Sequence, residues 1–217
     1  LDAPIVALES SVITHGLPTP QNMELALAME AKVRAEGAIP ATVALLDGEI
    51  RVGINEVELE RLANAKDPVK VSRRDFAKVI VKKLDGGTTV AGTMLAAQKA
   101  GIQVFATGGI GGVHRESYLD ISTDLQALSD TPMIVVCAGA KSILDLPATL
   151  EYLETMAVPV VGYGTDEFPA FFSRHSGLNV SVRLDSPAEI AAFAKAHWDL
   201  GMKSAILVTN PIPKEHS

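Results

Sequence analysis

Short apolar runs alternate with helix-like segments along nearly the whole chain, and this alternation limits the possible folds. The runs are rich in β-branched residues and lack alternating polar positions, which is typical of strands that are covered on both faces. The clearest runs are Ile5–Leu8, Ile102–Thr107, Met133–Cys137, Val158–Gly162 and Ala205–Val208. Strand–helix alternation of this kind predicts an α/β fold with three layers (α/β/α) around a mainly parallel central sheet.

Local signals add one hairpin and several helix boundaries. Asp47-Gly48 stands between two strand-like runs and predicts an antiparallel hairpin. Asn55 with Glu58, and Ser186 with Glu189, have the spacing of capping boxes at helix starts. Asp85–Thr89 is glycine-rich and predicts a turn into a helix over Val90–Ala100. The chain has no repeat or linker, so we expect one α/β catalytic domain over residues 1–217.

Charge and cysteine content exclude several classes of protein. The net charge of −7 and the pI near 5.2 argue against a nucleic-acid-binding protein, which needs a basic face. The single cysteine, Cys137, cannot form an internal disulfide, which fits a reducing compartment. No apolar run is long enough to span a bilayer and no signal peptide is recognised. We therefore expect a cytoplasmic protein without a membrane partner, although the missing initiator Met leaves organellar targeting open.

Chemically versatile residues follow the predicted strands. Ligands bind beyond the carboxyl ends of strands in parallel sheets, so we expect the segments at these ends to converge. These segments are Glu9-Ser10, Lys70–Ser72, Thr107–Arg115, Gly139–Lys141 and Gly162–Thr165.

Lys141 is the first candidate for chemistry. It follows a buried strand and Gly139-Ala140, and we expect a helix to begin within two or three residues. The positive end of a helix dipole and partial burial both favour the neutral amine, which is a nucleophile for carbonyl carbons. The alternative is a lysine that simply extends into solvent.

Three carboxylates are further candidates. Glu9 directly follows a strand, where partial desolvation favours the protonated form needed for acid–base work; a salt bridge to a nearby cation is the alternative. Asp120 and Asp124 are four residues apart near a predicted helix start. They either complement the helix dipole or hold a hard divalent cation together with water. No His/Cys cluster has zinc spacing.

The glycine-rich segment Thr107–Gly112 has neither the spacing of a dinucleotide fingerprint nor a Walker lysine. Together with His114 and Arg115 it could cradle a phosphate, form a mobile loop or simply make tight turns. Thr89, at a helix start after Gly87-Thr88, is a second candidate for anion binding, with hydroxyl capping as the alternative.

Taken together, the motifs resemble the pseudouridine-5′-phosphate glycosidase family, which includes the indigoidine synthase A-like proteins. The motifs are Val6–Ser10, Thr14–Gly16, Lys70–Asp75, Thr107–Arg115, Asp120–Asp124 and Cys137–Asp145. The resemblance runs from about Val6 to Pro213. It implies reversible cleavage of pseudouridine 5′-phosphate to uracil and ribose 5-phosphate, a divalent metal (usually Mn²⁺) and a homotrimer. It also implies a C-terminal helical part that we expect to be absent from these 217 residues.

The resemblance also assigns roles to residues. It implies Lys141 as the covalent nucleophile, Glu9 as the proton donor and Asp120 as the metal ligand. The implied substrate contacts are Lys70, the backbone around Val90, Ser122, Thr123 and Asp124. We add Thr89 and His114 as further candidates for substrate contacts. Two alternatives remain open: a Schiff-base lyase or aldolase acting on another sugar phosphate, and a sugar-phosphate-binding module without turnover.

Overall fold

The computed structural model describes residues 3–216, and the chain divides into two compact units, Leu1–Phe105 and Ala106–Ser217. The expectation of one catalytic domain stays a prediction. The first unit contains β1 (Ile5–Leu8), α1 (Ser11–His15), α2 (Gln21–Ala35), β2 (Ile39–Leu46), β3 (Glu49–Val52), α3 (Glu56–Ala63), β4 (Val69–Val71), α4 (Phe76–Lys82), β5 (Gly86–Thr88) and α5 (Val90–Lys99). A short 3-10 turn, Arg73–Asp75, precedes α4. β6 (Val104–Ala106) follows at the boundary between the units.

The sheet of the first unit is organised around β2, in which every residue after Ile39 is buried. β1 pairs with β2 in parallel, whereas β3 and β5 pair with it in antiparallel orientation. β4 lies parallel to β5. The β2–β3 hairpin is confirmed, with positive φ at Asp47 (52°) and Gly48 (77°), as a primed turn requires.

Helix boundaries in the first unit follow the local signals. Asn55 and Glu58 form the predicted capping box of α3. α5 begins at Val90, as predicted, but the expected turn before it is wrong. Gly86–Thr88 instead forms the buried strand β5, because pairing with β2 and β4 outweighs the turn propensity of the two glycines. The short helix α1 was not predicted, since five residues are too few to show a helical period.

The second unit contains β7 (Val113–His114), β8 (Ser117–Ile121), α6 (Thr123–Asp130), β9 (Ile134–Cys137), β10 (Leu144–Asp145), α7 (Leu146–Thr155), β11 (Val160–Tyr163), β12 (Val182–Leu184), α8 (Pro187–Asp199), β13 (Ile206–Thr209) and a final 3-10 turn, Lys214–His216. Four of its strands form a parallel sheet in the order β12–β11–β13–β9. The predicted capping box of Ser186 and Glu189 starts α8.

A second, antiparallel sheet in this unit, β10–β7–β8, was not predicted from the sequence. Two of its strands have only two residues each, too few for a visible alternation of polar and apolar positions. The fold class is otherwise confirmed: the molecule is a mixed α/β protein whose main sheet is largely parallel. Within residues 3–216, no helix combines the length and hydropathy needed to cross a bilayer.

Candidate active site

The carboxyl end of β1 presents Glu9 at the start of a tight turn into α1. Glu9 is only 7% exposed, and its Oε2 accepts a 2.5 Å hydrogen bond from the hydroxyl of Ser11. Ser11 is the first residue of α1, so the short helix supplies the donor that orients the carboxylate. A buried carboxyl group with a fixed orientation is suited to exchanging a proton with a bound substrate.

Buried hydroxyl groups fix the backbone next to Glu9. The Ser10 Oγ donates to the Val43 carbonyl (2.5 Å) and accepts from the Thr88 N–H (2.9 Å). Thr88 Oγ1 also donates to Val43 O and lies 2.8 Å from Thr93 Oγ1. Because each buried hydroxyl has hydrogen-bond partners, the end of β1 is held against β2 and β5 by more than the strand ladder.

The remaining candidate site residues of the first unit are connected to the end of β1 by backbone hydrogen bonds. Lys70 pairs with Gly87 across β4 and β5, and its side chain is exposed. The Thr89 N–H donates to Val71 O, and the Thr89 hydroxyl accepts from Gly92 N–H, which caps α5. Val90 is buried at the first position of that helix. Ser10 N–H donates to Thr88 O, so backbone hydrogen bonds connect the segments that carry Glu9, Thr89 and Lys70.

His15, at the end of α1, is a titratable residue that the sequence-based site did not include. Its Nδ1 lies 2.7 Å from Thr14 Oγ1. Partial burial and the nearby charge of Lys70 lower the pKa of His15 below its ordinary value, so its neutral form is favoured near pH 7. The Thr14–Gly16 motif was the only sequence signal that marked it.

In the second unit, the glycine-rich segment extends alongside the end of β9. Thr107 N–H donates to Val136 O, Ala138 N–H to Gly108 O, and Ile110 N–H to Gly139 O, each at 2.9 to 3.1 Å. These bonds hold the segment against the end of β9 and the residues that follow it. The segment is therefore part of the scaffold, and its glycines serve close packing.

Gly111 shows why glycine is required there. A Cβ at this position would lie 2.2 Å from Ser122 Oγ and 2.8 Å from Asp124 Oδ2. The Gly111 N–H instead donates to Asp124 Oδ2 (2.8 Å), and Ser122 N–H donates to Gly112 O. Ser122 caps α6 through the Asp124 N–H (3.2 Å), with Thr123 exposed at the first helical position. The backbone therefore brings Ser122, Thr123 and Asp124 to the glycine-rich segment.

Lys141 is hydrogen-bonded to the same segment. Its N–H donates to Ile110 O (3.1 Å), its carbonyl accepts from Leu144 N–H (3.0 Å), and the residue is half-buried. The expected helix start is wrong: α7 begins five residues later, at Leu146, because β10 intervenes. Lys141 is therefore held in a hydrogen-bonded turn and does not lie at the positive end of a helix dipole.

Asp120 and Asp124 have different environments. Asp124 is 5% exposed in the first turn of α6, as the dipole interpretation requires, and it also binds the Gly111 N–H. Asp120 belongs to β8, so the same interpretation is wrong for it. Its carboxylate side chain is 68% exposed, 3.9 Å from His114 Nδ1 on β7.

The donor set at Asp120 fits a divalent ion that keeps most of its water. In the part of the chain that the structure describes, no three His, Cys, Asp or Glu side chains are grouped to enclose a metal. Mg²⁺-like ions are commonly held by one or two carboxylates plus water and substrate oxygens, which an exposed carboxylate permits.

Comparisons with known proteins place the chain in a family. The family model described as "Indigoidine synthase A like protein" matches residues 1–217. The chain is 56% identical over 216 residues to the pseudouridine-5′-phosphate glycosidase of Caldanaerobacter subterraneus, covering 99% of this chain and 70% of that protein. It is 54% identical to the Staphylococcus aureus protein of the same name, with the same two coverages.

Two solved structures support the same assignment. An indigoidine synthase A-like protein from Thermotoga maritima superposes with a TM-score of 0.93 at 37% identity, over 98% of this chain and 72% of that one. The prealnumycin C-glycosynthase AlnA, solved with ribulose 5-phosphate, gives 0.90 at 46% identity, over 98% and 69%. The chain therefore belongs to the indigoidine synthase A-like family.

Proposed function

We propose that this protein catalyses the reversible cleavage of pseudouridine 5′-phosphate to uracil and ribose 5-phosphate. The observation that carries the proposal is the 54–58% identity, over nearly all of this chain, to relatives named pseudouridine-5′-phosphate glycosidase. The alternatives drawn from the sequence, an aldolase and a binding module without turnover, have no such relatives among these matches.

The bond to be broken joins a ring carbon of uracil to the ribose. Protonating a ring oxygen or nitrogen of the base does not make a carbon–carbon bond labile. The bonding electrons must leave with uracil, which is protonated at its attachment carbon, so the sugar carbon needs an electron donor. Opening the ribose ring would allow one, because the former anomeric carbon could then form an adduct with an amine, whose nitrogen lone pair becomes the C=N bond as the carbon–carbon bond breaks. Covalent catalysis of this kind divides one difficult step into easier ones.

Lys141 is the proposed nucleophile. Its amine would form the adduct at the former anomeric carbon, and uracil would leave when its attachment carbon is protonated. Water would then release ribose 5-phosphate from the lysine. The support in the structure is that the Lys141 N–H and carbonyl are both hydrogen-bonded, so the side chain projects from a fixed backbone.

Glu9 is the proposed proton donor for ring opening. Its support is burial together with the Ser11 hydrogen bond, which orients the carboxyl group. Lys70, Thr89 and the Val90 N–H are proposed contacts of the substrate on the first unit. Lys70 brings positive charge, and the start of a ten-residue helix favours an anion such as phosphate.

Ser122, Thr123, Asp124 and His114 are proposed substrate contacts on the second unit. Asp120 would hold a divalent ion, with Mn²⁺ as the proposed metal. When bound, the ion would act as a Lewis acid or as a template for substrate oxygens.

A homotrimer and a cytoplasmic location complete the proposal; the unpaired Cys137 supports a reducing compartment.

The direct test is incubation with pseudouridine 5′-phosphate and Mn²⁺ while free uracil is measured. Borohydride trapping with ribose 5-phosphate, followed by peptide mass mapping, would locate the adduct. We expect it on Lys141, and we expect Lys141→Met to lower kcat by several orders of magnitude. Lys99→Met, at the end of α5, is the matched control. An active enzyme without an adduct on Lys141 would exclude the covalent step.

A second candidate function is the formation of a C-glycoside from another aromatic acceptor. The observation that favours it is the likeness to AlnA, which is a C-glycosynthase solved with ribulose 5-phosphate. Synthesis assays with ribose 5-phosphate and either uracil or polycyclic aromatic acceptors would separate the two. Consumption of uracil alone would support the first function.

A further inference from the structure

Arg115 connects the β7–β8 turn to the turn that begins at Lys141. Arg115 lies in the two-residue link between β7 and β8. Its Nε donates to the carbonyl of Leu144 and its Nη2 donates to the carbonyl of Ser142, both at 3.1 Å. One planar guanidinium therefore binds two carbonyl groups of the segment that follows Lys141. A lysine cannot bind two carbonyl groups in this fixed geometry, because its ammonium is a single point of charge.

The turn from Lys141 to Leu144 depends on hydrogen bonds more than on packing. Ile143, in its middle, is 66% exposed, so little apolar burial holds that part of the turn. Its ends are fixed, with Ala140 and Leu144 both buried. Between them, the bonds of Lys141 to Ile110 and Leu144, together with the two bonds from Arg115, determine the backbone.

We propose that Arg115 is a positioning residue for Lys141, which rests on the proposed function. Arg115 does not touch the reacting atoms. It fixes the turn, and through it the direction in which the lysine side chain leaves the backbone. Because two of its N–H groups already bind backbone carbonyls, its role is distinct from the phosphate-cradling one that the sequence left open for it.

A positioning role has a specific kinetic consequence. Misplacing a reacting group by about 1 Å can reduce the rate roughly 100-fold without changing the groups that bind the substrate. Arg115→Ala should therefore lower kcat, and the rate of the borohydride-trapped adduct on Lys141, by about 10- to 100-fold. KM should stay within about threefold, because phosphate binding is assigned elsewhere.

Arg115→Lys keeps the positive charge but cannot bind both carbonyl groups in the same geometry, so we expect its kcat to resemble that of Arg115→Ala. Guanidinium ion at millimolar concentration should partly restore Arg115→Ala, since it can occupy the same two carbonyls, and should leave Arg115→Lys unchanged. Arg183→Ala is the matched control, because that exposed arginine pairs with the carboxylates of Asp166 and Asp185. It should retain parent kcat and KM.

Hydrogen exchange tests the structural step independently of turnover. The Leu144 N–H, bonded to the Lys141 carbonyl, should exchange faster in both Arg115 variants than in the parent. If the parent releases no uracil but the Leu144 N–H exchanges faster in the Arg115 variants, the proposed function fails, and the result still supports that Arg115 stabilises the turn. If the parent is active, either of two results overturns the inference: kcat unchanged in both Arg115 variants, or a raised KM at constant kcat.

Discussion

Ser11 Oγ lies 2.5 Å from Glu9 Oε2, so the first residue of α1 holds the carboxylate that ends β1. Both side chains of this pair are buried, so a lost hydrogen bond is not readily replaced by water. We expect Ser11→Ala to lower kcat for uracil release by roughly 10-fold, because the carboxylate loses its fixed orientation. Steady-state kinetics at saturating Mn²⁺ would measure the change.

Two variants control this prediction. Ser11→Thr keeps the hydroxyl and should retain most of the activity. Ser129→Ala removes a hydroxyl that bonds to Gln126 within α6 and should leave kcat unchanged. Equal activity of Ser11→Ala and the parent would show that Glu9 does not depend on this bond.

Gly139 is the position least able to accept a side chain. Its φ is +96°, and a Cβ there would lie 1.9 Å from the carbonyl oxygen of Pro169. We expect Gly139→Ala to lower the free energy of unfolding by more than about 3 kcal/mol, because the backbone must move. Gly164→Ala, at φ +63° with open space around it, should cost only about 1 kcal/mol. Urea denaturation of both variants would test the difference, and equal losses would contradict it.

The features that local chemistry determines were predictable. The Asp47-Gly48 hairpin and the capping boxes at Asn55 and Ser186 each depend on residues adjacent in sequence, and each is present. Gly86–Thr88 was assigned wrongly because its strand pairing comes from residues far along the chain. Local propensity does not contain that information.

The sequence names candidate site residues, whose roles stay predictions, and it does not contain their geometry. Lys141 and Glu9 were named because they follow strands, but the groups that orient them were not. Arg115 reaches the Lys141 turn from the unpredicted β10–β7–β8 sheet, and Ser11 reaches Glu9 from an unpredicted helix. Such contacts arise from tertiary packing, which periodicity cannot indicate.

Cys137 should be unreactive in the folded protein. It is 3% exposed in β9, and burial raises the pKa of its thiol to about 12, so the reactive thiolate is scarce near pH 8. We expect no colour from a disulfide reagent such as DTNB under native conditions and one thiol per chain in denaturant. Rapid reaction of the native protein would contradict the burial.

The carboxyl group of Glu167 should make the free energy of unfolding decrease at acid pH. The imidazole of His175, 2.8 Å away, and the N–H groups of Ser176 and Gly177 lower the pKa of this carboxyl below its ordinary value of 4.5. A lowered pKa contributes stability above the unfolded value, and that stability is lost as the pH falls through the folded-state pKa. Urea unfolding from pH 6 to pH 3 should therefore show a steeper loss for the parent than for Glu167→Gln. Glu154→Gln, on α7, should keep the parent slope.

Asp120 should control the metal requirement of the reaction. Its carboxylate is exposed on β8 and suits a largely hydrated divalent ion, so replacing it removes the proposed anionic ligand without disturbing a core. We expect Asp120→Asn to raise the Mn²⁺ concentration for half-maximal activity by at least about 10-fold, with the free energy of unfolding changed by less than about 0.5 kcal/mol. Mn²⁺ titrations of uracil release after chelator treatment would measure this, with Asp199→Asn as the control. Superimposable titrations for the parent and both variants would show that Asp120 holds no catalytic metal.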